Sequence, residues 1–170
     1  MVRVDIEGII MTGGPIPVPS VVVLRERARE AMADAPRRAL SIQIGSFEAA
    51  GISYGIDRTQ VKRPVAHDLM LSLVEGLGAK VERVEIDRVD APVFFASVVL
   101  LPAGEGADEV RVDARPSDAL ALAVRANAPV YVEDDVMNRA GDAVTPVEAD
   151  PAEEIEQFDE FVKTLSPDDF

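Results

Sequence analysis

The feature that most constrains the fold is an order of elements that occurs twice: three strands with alternating apolar residues, then a helix. Segment 40–44 (LSIQI) has the pattern of segment 110–114 (VRVDA), and segment 20–24 (SVVVL) resembles 97–101 (SVVLL). Alternation with period two predicts strands, and a 3.6-residue period predicts helices. The order therefore predicts an α+β fold from a duplicated β-β-β-α unit, which forms a mixed or antiparallel sheet with helices packed on it.

The same periodicities give the bounds of the expected elements. Strands are predicted at 2–11, 21–24, 40–44, 80–89, 92–101, 109–114 and 130–132. Helices are predicted after Ser46, which is a plausible cap, after Pro64 and Pro116 at first helical positions, and over 133–140. The spacing of Leu69 and Leu73 predicts that the second of these helices is buried.

Charge divides the chain into a body and a tail. The net charge is −14, and residues 141–170 hold ten acidic side chains against one lysine. We predict one domain over 1–140, a linker over 141–150 and an acidic amphipathic helix over 151–165. Only three of the seventeen basic residues are lysine. This scarcity fits either a protein adapted to a salty cytoplasm or a genome that favours arginine codons.

Composition also limits the chemistry and the location. With no cysteine there is neither a disulfide framework nor a thiolate nucleophile. No uncharged apolar run approaches the roughly 18 residues of a membrane span, so we expect a cytoplasmic protein. No glycine-rich phosphate loop, dinucleotide motif or zinc pattern occurs.

Two clusters carry the residues of a candidate site. Segment 113–119 (DARPSDA) places two carboxylates, an arginine and a serine where a strand gives way to a helix, and segment 63–68 (RPVAHD) holds the only histidine. By the repeat, Glu48 is equivalent to Asp118. Asp113, Asp118 and Glu48 could hold a divalent cation such as Mg²⁺. Alternatively, Glu48 and Asp118 simply stabilise helix N-termini and Asp113 forms an ion pair with Arg115. His67 could act as general base or acid, or be an ordinary polar residue.

A run of arginines provides a candidate surface for nucleic acid. Arg25, Arg37 and Arg38 lie in a basic segment of an acidic protein, and Arg63 precedes His67. Guanidinium groups bind phosphate well, so these four are candidate substrate-binding residues. The alternative is that they form a solvated surface.

Several motifs together resemble the bifunctional nuclease domain family over about residues 1–140. They are 44–49 (IGSFEA), 63–69 (RPVAHDL), 78–82 (GAKVE), 113–119 (DARPSDA) and 128–132 (APVYV). The resemblance implies the duplicated α+β fold and the activity attributed to plant members, hydrolysis of RNA and DNA. It implies a catalytic site formed by Glu48, His67, Asp68, Asp113, Arg115, Ser117 and Asp118. The lengthened segment 25–38 and the acidic C-terminus depart from the family pattern.

Two functions remain open from the sequence. The first is a nuclease in which a bound cation or His67 activates water while arginines stabilise the charge on the phosphoryl oxygens. The second is a non-catalytic oligomeric scaffold or regulatory binding module, in which Asp113, Arg115 and Asp118 form a structural ion-pair network. We expect a homo-oligomer in either case.

Overall fold

A computed structural model describes residues 1–11, 19–27, 37–59, 61–104 and 106–144. The strands are β1 (Val2–Ile10), β2 (Ser20–Glu26), β3 (Arg37–Ile44), β4 (Ala79–Asp90), β5 (Val93–Pro102), β6 (Val110–Ala114), β7 (Val130–Val132) and β8 (Gly141–Val144). The helices are α1 (Ser46–Ile56), α2 (Ala66–Gly76), α3 (Pro116–Ala126) and α4 (Asp134–Ala140). None of the described helices has the length and apolarity needed to cross a membrane.

The strands form one mixed sheet in the order β6-β5-β4-β7-β1-β2-β3-β8. All neighbours are antiparallel except β4 and β7, which run parallel. The short strand β7 therefore joins two three-stranded meanders, β1-β2-β3 and β4-β5-β6. This arrangement confirms the predicted α+β class with a mixed sheet and packed helices.

Each meander is followed by a helix, α1 after β3 and α3 after β6, as the sequence pattern predicts. The two helices pack against each other, and α2 packs on α3 and β4. That the two units arose by duplication stays a prediction. Large side chains that are fully buried fill the space between sheet and helices: Leu24, Leu40, Ile52, Ile86, Leu120 and Met137.

The helix starts differ from expectation in two places. Helix α1 has Gly45 as its N-cap, and Ser46 is its first residue and not its cap. Helix α2 begins at Ala66 with Val65 as N-cap, so Pro64 lies outside the helix. Its N-terminus is stabilised by Asp68, whose Oδ2 accepts a hydrogen bond of 3.0 Å from the Val65 N–H. Pro116 does occupy the first turn of α3.

The prediction that α2 is buried is wrong for the single chain. No residue of α2 is buried, and Leu69, Met70, Leu73 and Leu77 are all exposed. The spacing of leucines identifies an apolar face correctly but not what covers it, because periodicity alone contains no information about the neighbouring surface.

The sheet extends beyond the domain boundary predicted after residue 140. Residues Gly141–Val144 form β8 and pair antiparallel with β3, so this part of the expected linker is a strand. The rest of the predicted linker and the acidic helix, residues 145–170, lie outside the described residues, as do positions 28–36 of the basic segment.

Candidate active site

Three helices each present a carboxylate in the first turn. Glu48, Asp68 and Asp118 are the third residues of α1, α2 and α3. Free backbone N–H groups and the helix dipole favour negative charge at this position. The repeat correctly predicts first-turn placement for Glu48 and Asp118, and the packing of the helices brings these N-termini together.

Glu48, His67, Arg115 and Asp118 form one group of contacts, which we call the ion-pair cluster. His67 Nε2 lies 3.2 Å from Asp118 Oδ1. Arg115 donates from Nε to Asp118 Oδ2 at 2.8 Å and from a terminal nitrogen to Glu48 Oε1 at 3.2 Å. The Arg115 guanidinium thus joins Glu48 and Asp118, and the His67 imidazole contacts the Asp118 carboxylate. Three separate sequence motifs meet at this point.

The cluster is accessible to solvent on its arginine side. The Arg115 side chain is 66% exposed, whereas those of His67, Asp118 and Glu48 are part-buried. The hydrogen bond from Arg115 is the main reason that the pKa of Asp118 lies below its usual value; the contact with His67 adds to this effect and burial opposes it. Asp118 is therefore held as a carboxylate over a wider pH range than a free aspartate.

A glycine of α1 allows the helix backbone to approach the imidazole. A Cβ atom at Gly51 would lie 3.4 Å from His67 Cε1 and 3.6 Å from Nδ1. The ring is therefore held between Gly51 and Asp118. If Nε2 carries the proton that Asp118 accepts, Nδ1 is left as the basic nitrogen.

Asp68 lies beside the ion-pair cluster but has a different partner. Its Oδ1 accepts a 2.7 Å hydrogen bond from Arg125 Nε, and this bond is the largest cause of the lowered pKa of Asp68. Arg125 is also bound to the carbonyl oxygens of Gly51 and Ala121, at 2.8 and 2.9 Å. It therefore ties α2 to α1 and α3. No sequence signal predicts this role, since an arginine in the last turn of a helix is ordinary.

Asp113 and Ser117 are not brought into the ion-pair cluster. Asp113 is exposed on β6 opposite Ser97, one position from the pair formed by Val112 and the core residue Val98. Because side chains alternate along a strand, Asp113 points to the face of the sheet away from that core. In the described part of the chain no hydrogen bond or ion pair joins it to the cluster. Ser117 is buried in the first turn of α3.

The predicted cation ligands do not form a ready ligand set. Arg115 lies between Glu48 and Asp118, and Asp113 faces elsewhere. Within the described residues, no three His, Cys, Asp or Glu side chains are grouped so that they could hold a metal ion. A guanidinium between two carboxylates already supplies the positive charge that a cation would bring. The need for Mg²⁺ stays a prediction.

Of the four arginines predicted to bind substrate, Arg25 and Arg38 are already paired, Arg37 lies at the far end of β3, and Arg63 precedes α2. Arg25 is bound to Glu7 through two hydrogen bonds of 2.6 and 2.7 Å. Arg38 donates to Glu26 and Asn138. Arg37 and Arg38 are the first residues of β3, and Ile44, at the other end of the strand, leads to Glu48. Arg38 lies six residues before Ile44, so at about 3.3 Å per residue it is roughly 20 Å from that end. Arg63 is exposed in the segment before α2.

A cavity opens beside the exposed side of the cluster. It has a volume of about 360 Å³, within the range of ligand sites. Glu48 and Arg115 form part of its wall, together with Phe94, Pro116 and Ser117. The cavity can thus present the Arg115 guanidinium to a ligand that carries negative charge, and His67 is not among the residues that line it.

Comparison with known proteins identifies the family. The family model described as the bifunctional nuclease domain matches residues 22–145, which include the whole ion-pair cluster. The chain belongs to the bifunctional nuclease domain family. A protein of Mycobacterium tuberculosis (strain H37Rv), named as uncharacterized, is 36% identical over 151 residues, which cover 84% of this chain and 85% of that protein.

Plant members of the family carry a name that states an activity. Bifunctional nuclease 2 of Arabidopsis thaliana is 33% identical over 73 residues, or 43% of this chain and 22% of the plant protein. Bifunctional nuclease 2 of Oryza sativa subsp. japonica is 24% identical over 116 residues, or 68% of this chain and 34% of that protein. The matches therefore span about a third or less of each plant protein.

Proposed function

We propose that this protein is a nuclease that hydrolyses phosphodiester bonds of RNA or DNA, with the ion-pair cluster as its active site. The observation that carries the proposal is the contact of His67 with Asp118 at 3.2 Å, in a group that also contains Arg115 and Glu48. A histidine held by a carboxylate beside an exposed arginine is the arrangement that acid–base chemistry at a phosphate needs. Membership of the family and the names of the plant relatives support this choice.

Each residue of the cluster has a distinct role in this scheme. Asp118 holds the imidazole of His67 through Nε2, and His67 takes a proton from the attacking water or gives one to the leaving oxygen. Arg115, whose side chain is exposed, binds the phosphoryl oxygens and stabilises the negative charge that develops on them. Glu48 positions the Arg115 guanidinium.

The charge of the cluster sets a condition on substrate binding. Two carboxylates and one guanidinium leave a net charge of −1 when His67 is neutral, and protonation of His67 removes it. A phosphate is therefore bound best with His67 protonated or with salt that screens the acidic body. We also propose a reducing cytoplasm as the place of action, with which the cysteine-free sequence is compatible.

The test is cleavage of fluorescent RNA and DNA by the purified protein, with Mg²⁺ and with EDTA, over a series of salt concentrations. His67→Gln should lower the rate at least about a hundredfold, the usual scale for loss of a general acid or base. Ser72→Ala is the matched control, because Ser72 lies on the same helix and, among the described residues, its hydroxyl donates only to the backbone oxygen of Asp68. Equal rates in the wild type and His67→Gln would remove the imidazole from the mechanism.

A structural role for Arg115 is the competing interpretation. It requires that the Arg115 pairs stabilise the fold, but the side chain is 66% exposed, and ion pairs that solvent reaches contribute little. The contacts also differ from the predicted network, because Arg115 pairs with Glu48 and Asp118 and not with Asp113. We therefore expect Arg115→Ala to abolish cleavage and leave the melting temperature nearly unchanged. A sharp fall in melting temperature would favour the scaffold.

A further inference from the structure

Phe47 is almost fully exposed at the edge of the ion-pair cluster. Its exposed fraction is 93%, the highest among the large apolar residues of the described chain. It is the second residue of α1 and immediately precedes Glu48, the partner of Arg115. A single exposed apolar residue is common on protein surfaces, so the ring gains meaning only from what surrounds it.

The cavity beside the cluster contains a second aromatic ring. Phe94 lines it, and Pro92, Val93 and Ile44 add to an apolar wall. Arg115 belongs to the polar part of the same wall. A phosphate by itself needs no apolar wall, because burial of an anion is favourable only against donors and opposite charge. The wall therefore fits an uncharged ring attached to the anion that Arg115 binds.

Phe47 stands at the rim of this cavity. Gly45 and Glu48, which flank positions 46 and 47 in the chain, both belong to the wall, whereas Phe47 does not. The exposed guanidinium of Arg115 therefore lies close to two aromatic rings, one in the cavity and one in solvent. Proteins that bind unpaired nucleic-acid strands combine cationic groups for the phosphates with aromatic rings on which the bases stack.

We propose that the protein binds an unpaired nucleic-acid strand across the ion-pair cluster. One nucleobase enters the cavity against Phe94, the phosphate beside it binds Arg115, and a neighbouring base stacks on Phe47. The inference rests on the proposed function for the identity of the ligand, and it adds the form of the strand and the residues that hold its bases. A paired base reaches neither ring until it leaves its stack, which costs free energy, so a duplex binds more weakly.

The first test uses the lack of tryptophan in the chain. Phe47→Trp places a single indole at the rim, and the full chain also carries His67→Gln so that the strand is not cut. A short oligodeoxythymidylate should quench the fluorescence of this indole, because stacking on a base quenches indole emission. The same strand annealed to oligodeoxyadenylate should quench it far less at equal concentration.

Leu77→Trp in the same His67→Gln chain is the matched control. Leu77 is 85% exposed, but it lies ten residues after His67, about 15 Å along α2. Its indole should not respond to the strand. Equal quenching at both positions, or none at position 47, would overturn the proposal. Emission from position 47 that changes with protein concentration and not with the strand would also overturn it, because a second copy of the chain would then cover Phe47.

The second test measures affinity by fluorescence anisotropy of the labelled strand. In the His67→Gln chain, Phe47→Ala should raise the dissociation constant about five- to 140-fold, the scale for loss of one stacked base. Phe94→Leu, which keeps an apolar side chain, should raise it at least about fivefold. A strand of abasic sites should bind equally to the chain with and without Phe47→Ala. Unchanged affinity for the oligodeoxythymidylate in either variant would overturn the proposal.

Two controls separate this inference from the proposed function. The melting temperature of Phe47→Ala should equal that of the wild type, because an exposed ring contributes little to the fold. Binding through Phe47 without cleavage by the wild type would refute the nuclease and keep the inference. Cleavage by the wild type with no loss of affinity in Phe47→Ala would refute the inference and keep the nuclease.

Discussion

Replacement of Arg125 by methionine tests whether one guanidinium holds the helices of the site together. Arg125 is 8% exposed and makes a 2.7 Å hydrogen bond to Asp68 and two bonds to the backbone oxygens of Gly51 and Ala121. Methionine keeps much of the apolar stem and removes all three bonds. The perturbation is therefore confined to the charge and its partners.

The size of the effect follows from those partners. A hydrogen bond between charged groups contributes about 1.5–3 kcal/mol and each neutral acceptor about 0.5–1.5. Asp68 is 34% exposed, so water compensates part of its loss, and we expect a decrease of about 2–4 kcal/mol in the free energy of unfolding. For a chain of this size that lowers the melting temperature by about 5–15 °C.

The assay is urea unfolding followed by circular dichroism, with Arg139→Met as the matched control. Arg139 also lies in the last turn of a helix and pairs with an aspartate, but both side chains are well exposed. Its loss should cost less than about 0.5 kcal/mol. An Arg125→Met variant within that same margin of the wild type would refute the view that Arg125 ties the three helices together.

Three further predictions concern packing and pH. Gly55→Ala should lower the free energy of unfolding in urea by about 1–3 kcal/mol, because the new Cβ would lie 2.4 Å from Val124 Cγ2. Gly76→Ala should be neutral or slightly stabilising, because in the described part of the chain no atom of a packed neighbour lies within 4 Å of the new Cβ. Ile52→Ala, at a fully buried position, should cost about 2–5 kcal/mol by the same measurement. The pKa of Asp118 is lowered, mainly by the hydrogen bond from Arg115. The contribution of Asp118 to stability is therefore full above the ordinary pKa of an aspartate and is lost as pH falls through the lowered pKa. In urea titrations from about pH 6 to pH 2, the stability of Asp118→Asn should accordingly fall less than that of the wild type.

The sequence predicted the elements well because they depend on local patterns. Alternating residues gave every strand of the two meanders, and Pro116 gave the start of α3. The sequence assigns His67 and Asp118 to one candidate site but does not predict that they pair, and the structure brings them into contact. Contacts between distant residues depend on the face each side chain occupies, and this is why Asp113 was misplaced and Arg125 was missed.

Burial was the hardest property to predict. Glu85 is fully buried between Val84 and Ile86 of β4, yet an acidic residue within a strand is normally expected to reach water. It is bound by Arg83, Nε to Oε1 at 2.6 Å, and by Arg111. These arginines come from two strands, so only the sheet order explains how a buried carboxylate is satisfied. Leu73 shows the opposite error, because an apolar spacing there predicted burial that the single chain does not provide.

The three residues of β7 have a consequence for biosynthesis. They pair with β1 on one side and β4 on the other, and they follow all six strands of the two meanders in the chain. A growing polypeptide must therefore leave the ribosome as far as Val132 before the β1 edge of one meander and the β4 edge of the other can be joined. Until then each half exposes unpaired backbone groups that invite association with other nascent chains. We expect the yield of native protein to depend on how quickly this last short strand arrives.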